Sequence, residues 1–295
     1  MKHSDMRALV ERYTVTNGKK FRLKDVDPGD SGPHDLKVRA GELLVNGIQA
    51  LSDAQEKLYA QDMWSVLLIF QAMDAAGKDG TIKHVMSGVN PTGVQVFSFK
   101  QPSAEELDHD FLWRTTKCLP EKGRLGIFNR SYYEETLVVR VHPDFLKAQR
   151  LPEPAATKKL WKKRFEDINA FERHLTRNAT VVRKFFLYLS KPEQKQRFLS
   201  RLDEPSKNWK FSTADVRERE HWSEYMDAYE DMIRHTATPK APWLVVPADN
   251  KWFTRLVVVE AILLALRELD LSFPSVDAAR KKELQAARAA LLRER

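Results

Sequence analysis

The sequence predicts an α/β fold built on a parallel β-sheet, and three observations carry that prediction. Trp64–Gln71 is a compact apolar run of strand length, and Val94–Lys100, Leu125–Arg130, Lys184–Ser190 and Trp243–Pro247 are further strand candidates. Helical patterns fill the gaps between them, and strands alternating with helices build parallel sheets with right-handed crossovers. The first run is apolar without alternation from Val66 to Phe70, as expected of a strand covered on both faces.

Taken in order, residues 1–34 mix charge with Gly18, Pro28, Gly29, Gly32 and Pro33 and read as an irregular arm. From Asp35 to Gln61 the positions of Leu36, Leu43, Leu44, Ile48, Leu51 and Leu58 follow a helical period. Further helices are expected at Thr81–Ser87, Glu105–Cys118, Tyr132–Val139, Lys158–Arg177, Glu193–Leu202, Thr213–Thr236 and Trp252–Glu268. The last stretch, Asp277–Arg295, is charged and rich in Ala and Leu, and reads as a helix that caps the surface or meets another subunit. The chain thus divides into an arm (1–34), one α/β domain (35–275) and a charged C-terminal helix (276–295).

Composition excludes several classes. With 42% hydrophobic and 31% charged residues in 295, the chain is neither disordered nor a membrane protein. The longest apolar runs, Val66–Phe70 and Leu256–Leu266 with Glu260 inside it, are too short or too charged to span a bilayer. No apolar stretch follows Met1-Lys2-His3-Ser4-Asp5, so a secretory signal is not expected. A single cysteine, Cys118, rules out an internal disulfide or a cysteine-rich metal site and fits a reducing cytoplasm. The net charge is +8, yet Lys147–Arg219 alone holds 19 Lys+Arg against 9 Asp+Glu, a balance of +10. That segment is either a solvated helical surface or a cationic wall facing a polyanion.

The first strand runs directly into Asp74-Ala75-Ala76-Gly77-Lys78-Asp79-Gly80-Thr81, and a helix follows. This is the setting of a phosphate-cradling loop: backbone N–H groups wrap the oxygens, the helix N-terminus adds partial positive charge, and the lysine bridges the outer phosphates. The match to G-x-x-x-x-G-K-[ST] is incomplete, because Ala72 replaces the first glycine and Asp79 replaces the hydroxyl residue. A carboxylate inside such a loop repels phosphate unless a cation lies between them, so Asp74 reads as a residue that organises magnesium or orients a nucleophile. Asp79, in the first turn of the helix, reads as a complement to its dipole. At the end of the third strand stand Asn129 and Arg130. The arginine is placed to stabilise charge on a transferring phosphoryl group, and Asn129 to orient a ligand or a metal-bound water. Ser131 reads as the cap of the next helix.

Several motifs then recur in one order: Asp74–Thr81, Val96–Pro102, His109–Arg114, Phe128–Glu134, Phe185–Phe198, Asn208–Phe211, and Ala241–Trp243 continuing to Trp252. Over roughly residues 35 to 270 the chain resembles the polyphosphate kinase 2 family. The resemblance implies a thymidylate-kinase-like P-loop kinase, a three-layer α/β/α fold with a five-stranded parallel sheet and a helical lid. It further implies magnesium-dependent phosphoryl transfer between inorganic polyphosphate and a nucleotide, with Asp74, Lys78 and Arg130 as core catalytic residues. The Asn129 form of the strand-end motif, with Glu134, resembles the class that accepts both nucleoside mono- and diphosphates.

On that reading the lid is about 191–215, and its Lys191, Lys195, Arg197, Arg201, Lys207 and Lys210 form a cationic track. Arg197 and Arg201, four apart, share a helix face. A linear phosphate chain needs such a track more than one deep pocket. The expected phosphate contacts are Ala75, Ala76, Gly77, Lys78, Asp79, Gly80, Thr81, Arg130, Lys195, Arg197 and Arg201. The expected nucleotide contacts are Lys100, Arg114, Asn129, Tyr133 and Glu134. The expected partners are polyphosphate and AMP, ADP or ATP, with guanine nucleotides as further candidates, Mg2+ held by Asp74, and a second copy of the chain in a dimer or tetramer. Neither a membrane nor nucleic acid is expected. The rival readings are an ATP-dependent nucleotide kinase on the same fold and, from another class, a nucleic-acid-binding protein, for which the chain shows no recognisable motif.

Overall fold

The computed structural model describes residues 3–152 and 159–294. Helix α1 (His3–Arg12) and a two-residue strand β1 (Thr14–Val15) precede the long α2 (His34–Gln61). Strand β2 (Ser65–Gln71) and α3 (Lys78–Val85) come next. They are followed by β3 (Val94–Ser98), α4 (Ala104–Leu107), α5 (Trp113–Thr116) and β4 (Leu125–Asn129). After a 3-10 turn at Tyr132–Thr136 stand the short α6 (Val138–Val141) and α7 (Pro143–Ala148), then α8 (Leu160–Arg177) and β5 (Thr180–Tyr188). The chain continues through α9 (Lys191–Asp203), α10 (Thr213–Glu218), α11 (Trp222–Thr236), β6 (Trp243–Pro247), α12 (Lys251–Arg267) and α13 (Ala278–Leu291).

The sheet order is β1-β6-β5-β2-β4-β3. All neighbours are parallel except β1, which pairs antiparallel with β6, Thr14 opposite Leu244. Every residue of β2 is buried, because both of its faces are covered. Val66, Leu68 and Phe70 pack into one core with α1, α2, α3 and α12. Leu67 and Ile69 pack into the other with α8, α11 and the Tyr132–Tyr133 pair. The result is three layers. Helix α12 is buried on nearly all sides and meets α2 at Gly47, where an added Cβ would lie 3.1 Å from Val259. Leu51 and Leu58 of α2 are 0% exposed, and full burial of a leucine contributes about 1.5–3 kcal/mol.

The structure departs from the sequence reading at several elements. The arm is not irregular: Met6, Leu9 and Val10 of α1 are buried in the α12 core, and β1 makes a sixth strand beyond the five expected. A two-residue strand has no period to read. Strand β5 begins at Thr180, ahead of the expected start at Lys184, where Arg183 breaks the apolar pattern. The segment expected as one helix at Glu105–Cys118 breaks between Leu107 and Trp113, where the Asp110 carboxylate accepts from the Leu112 N–H and closes a local turn. The helix expected at Tyr132–Val139 is a 3-10 turn followed by α6, and that expected at Thr213–Thr236 is split by a 3-10 turn at Arg219–His221. Lys158 and Arg295, ends of two expected helices, and Met1-Lys2 lie outside the described residues. Helix α13 is exposed along its whole length.

Candidate active site

Strand β2 is hydrogen-bonded to β5 on one side and β4 on the other, and ligands of open parallel sheets bind where the chain leaves such a strand. The connection from β2 to α3 occupies that position. Its backbone is bent by two residues in the left-handed region, Ala75 at φ 64° and Gly77 at φ 99°. A glycine adopts this at no steric cost, whereas Ala75 costs about 1–2 kcal/mol. Lys78 opens α3 and folds back, its Nζ donating to the Ala72 carbonyl at 2.9 Å. Burial first, and then the charge of Arg130, hold its ammonium pKa below the usual lysine value.

Arg130 faces this loop from the end of β4, also in the left-handed region at φ 64°. Its Nη2 donates to Asp74 Oδ1 at 3.0 Å, and its Nη1 lies 3.7 Å from Glu134 Oε2. The Gln71 amide donates to Glu134 Oε1 at 2.7 Å and its oxygen accepts from the Ser131 hydroxyl at 3.0 Å. Burial raises the carboxyl pKa of Glu134, against the pull of Arg130; the Glu134 charge in turn raises the pKa of Arg130. Asn129 Nδ2 donates to Asp79 Oδ1 at 2.6 Å, so Asp79 ties the start of α3 to the end of β4 in addition to complementing the helix dipole. Asp74, Lys78, Asn129, Arg130 and Glu134 are thereby brought together at the carboxyl ends of adjacent strands.

A cleft of about 340 Å³ opens on one side of the loop. Asp74, Lys100, Arg114, Arg130 and Glu134 line it, as does the aromatic Tyr225 of α11. Arg114 is buried and donates to the Lys100 carbonyl at 2.8 Å, fixing the segment after β3. Two of the expected nucleotide contacts do not line the cleft: Asn129, whose amide is turned to Asp79, and Tyr133, which lies 0% exposed beneath it and donates to Glu172 Oε1 at 2.7 Å. In a tight turn its ring points into the core while the next residue, Glu134, points out. The sequence reading missed Asp215, Glu218 and Tyr225, which enter from α10 and α11 and whose contribution depends on how the chain returns over the sheet.

A second cleft, about 230 Å³, opens on the other side. Ala75, Ala76, Gly77, Gly80 and Thr81 form its floor, whereas Lys78 and Asp79 do not line it. Its walls carry Arg197 and Arg201 of α9, Lys207 and Lys210 beyond it, and Lys251 and Arg255 of α12. Burial, and then the neighbouring charges of Arg197 and Lys207, lower the pKa of Lys251. Lys251 and Arg255 were missed; their signal is a pair of cations four apart at the start of an otherwise apolar helix. Lys195 is exposed and lines neither cleft, because it lies two residues off the face of Arg197.

Arg197 serves a different task from that of a free track cation. Its Nη1 donates to the Ala75 and Ala76 carbonyls at 3.1 and 2.9 Å, and its Nη2 to Ala248 and Asp249 at 2.6 and 2.9 Å. Its Nε donates to Glu193 at 2.8 Å. All five N–H groups are committed, and the residue is a strut that ties the phosphate loop to β6 and α9. Gln194 adds a bond from Nε2 to the Asp74 carbonyl at 2.9 Å.

Among the described residues no three His, Cys, Asp or Glu side chains gather as a metal-holding group, and no helix is long and apolar enough to cross a membrane. The half-exposed Asp74 carboxylate beside Arg130 is one oxygen donor, enough for a magnesium that takes its other ligands from substrate phosphates and water.

Residues 39–274 match the family model described as polyphosphate kinase 2. The chain is 51% identical over 293 residues to the ADP-polyphosphate phosphotransferase of Rhodopseudomonas palustris, covering 98% of this chain and 100% of that one. It is 42% identical over 274 residues to the AMP/ADP-polyphosphate phosphotransferase of Meiothermus ruber, covering 92% and 98%. The crystal structure of polyphosphate kinase 2 from Arthrobacter aurescens superposes with a TM-score of 0.84 at 41% identity, over 92% of this chain and 95% of that one.

Proposed function

The chain belongs to the polyphosphate kinase 2 family, and on that premise we propose that it transfers the terminal phosphate of inorganic polyphosphate to nucleoside mono- and diphosphates, AMP to ADP and ADP to ATP, reversibly. One observation carries the reading: a single phosphate loop separates a cationic cleft from a second cleft of mixed chemistry. A polyanion fits the first, where Arg201, Lys207, Lys210, Lys251 and Arg255 offer successive positive charges to successive phosphates. A nucleotide fits the second, with its phosphates toward Asp74 and Arg130 and its base among Tyr225, Val138 and Phe145.

Transfer of a phosphoryl group demands alignment and neutralisation of charge, with no covalent enzyme intermediate required. The loop amides hold the phosphoryl group from the polyphosphate side, and Lys78, its ammonium on the Ala72 carbonyl, adds positive charge to the loop without lining the cleft. Arg130, held between Asp74 and Glu134, meets the charge that develops on the phosphoryl group's equatorial oxygens. Asp74 orients the attacking nucleotide oxygen and is the carboxylate that would hold Mg2+, which when bound neutralises phosphate charge. Asn129 and Asp79 keep β4 and α3 at a fixed separation across the site. A cytoplasmic setting suits these substrates, and a dimer or tetramer is proposed because helix α13 buries none of its residues.

The test is incubation of the purified chain with Mg2+, long-chain polyphosphate and AMP or ADP, with ATP as the donor in a parallel reaction. ADP and ATP form from polyphosphate. Transfer from ATP alone would overturn the reading in favour of an ATP-dependent kinase.

A further inference from the structure

Beneath the turn that carries Glu134 lies a buried ion pair that takes no part in the transfer described above. Lys184 of β5 is 0% exposed and Glu172 of α8 is 2% exposed, and Lys184 Nζ donates to Glu172 Oε2 at 2.6 Å. The same ammonium donates to the Tyr133 hydroxyl at 3.0 Å and to the Thr236 carbonyl at 2.8 Å. Glu172 Oε1 accepts from both neighbouring tyrosines, Tyr132 at 2.9 Å and Tyr133 at 2.7 Å. Trp243 Nε1 completes the cluster by donating to the Thr236 hydroxyl at 2.9 Å. All three hydrogens of the lysine and both oxygens of the glutamate are used.

Stability alone does not account for this arrangement. Apolar residues of similar volume commonly stabilise a core as well as a buried ion pair does, since both charges lose their hydration. Burial lowers the pKa of Lys184, which shows that this cost is present here. What the pair adds is direction. Tyr132 and Tyr133 open the 3-10 turn Tyr132–Thr136, and Arg130 stands two residues before it in a strained left-handed conformation. The tyrosines face the core and Glu134 faces the cleft. Two hydroxyls held on one carboxylate oxygen fix the rotation of that turn, and with it the reach of Arg130 to Asp74 and Glu134.

We infer that Glu172 and Lys184 are positioning residues for the phosphoryl-transfer centre: through Tyr132 and Tyr133 they hold Arg130 and Glu134 in the geometry the reacting phosphates require. The inference rests on the assignment of Arg130 and Glu134 to that centre. A displacement of about 1 Å at such a centre costs on the order of 100-fold in rate.

The test uses two variants of the full chain, Tyr132→Phe/Tyr133→Phe and Glu172→Leu/Lys184→Met, assayed for polyphosphate-dependent nucleotide phosphorylation beside thermal unfolding. The first keeps both rings and removes the two hydroxyls; the second replaces the ion pair by apolar volume. In each, kcat falls about 10-fold or more while the KM values for polyphosphate and nucleotide stay within about threefold; Glu172→Leu/Lys184→Met also unfolds earlier, because it leaves the Tyr132 and Tyr133 hydroxyls and the Thr236 carbonyl without partners. A folded variant of either kind with wild-type kcat, or one whose loss lies wholly in KM, overturns the inference. Should the Glu172→Leu/Lys184→Met protein not fold, the tyrosine variant decides by the same criteria. Failure of the functional reading itself is distinct: the wild-type chain would then use ATP and not polyphosphate, and the variants are compared on the ATP reaction.

Discussion

At the scale of single residues, Lys78 sets binding chemistry against stability. Its folded pKa lies below the ordinary 10.5, so the folded chain holds this proton more weakly than the unfolded chain. The resulting cost is complete below the folded pKa and disappears as pH rises through the window up to 10.5. Lys78→Met therefore abolishes turnover without lowering the unfolding midpoint at pH 7, and any gain in midpoint fades above that window. A lower midpoint at pH 7 would make Lys78 a structural residue. Arg197 has the opposite character. Arg197→Met leaves four loop carbonyls without their donor, and is expected to cost about 2–4 kcal/mol in a denaturant titration. Its turnover loss is equal for short and long phosphate chains, because the residue acts on the loop and not on the track. Sequence inspection found both cations by motif and spacing. It could not separate them, since the difference lies in how many acceptors surround each guanidinium or ammonium.

At the scale of elements, the cationic cleft is assembled from α9, the segment that follows it and the first turn of α12. Lys251→Met and Arg255→Met are expected to raise the KM for polyphosphate about 10-fold while the nucleotide KM changes less than twofold, with the effect weakening at high salt. Lys195→Ala is expected to match wild type in the same titration. An equal rise in both KM values would show that α12 does not form a separate polyphosphate wall. The elements themselves were legible where apolar runs are uninterrupted: β2 and β6 coincide with their apolar runs to within one residue. They were obscured where charge enters a strand. Arg183 hid the first half of β5, because its charge is met by Glu268, a partner distant in sequence. The N-terminal arm was misread for a related reason. The amphipathic face of α1 is short, and its burial depends on α12, some 250 residues later in the chain.

At the scale of the whole molecule, the two cores on either side of the sheet hold the loop after β2 between two clefts that neither α9 nor α11 would form alone. Helix α13 contributes no buried residue to either core. Helices of this length are marginal in water without a packing partner. Removal of residues 276–295 is therefore expected to leave turnover per site within about twofold and to shift the assembly toward smaller species in analytical ultracentrifugation. A loss of turnover without a change of assembly would assign the helix to the active site instead. Local periodicity and contiguous motifs made the parallel α/β class, the loop at Asp74–Thr81, the Asn129–Arg130 strand end and the family legible in the linear chain. Only the tertiary structure decided that Tyr133 is a core anchor, that Arg197 is a strut, that Lys251 and Arg255 join the cationic cleft, and that Glu172 and Lys184 meet behind the site. Each of these depends on which side chains converge from separate strands and helices, and on the removal of water from charges that a linear reading leaves solvated.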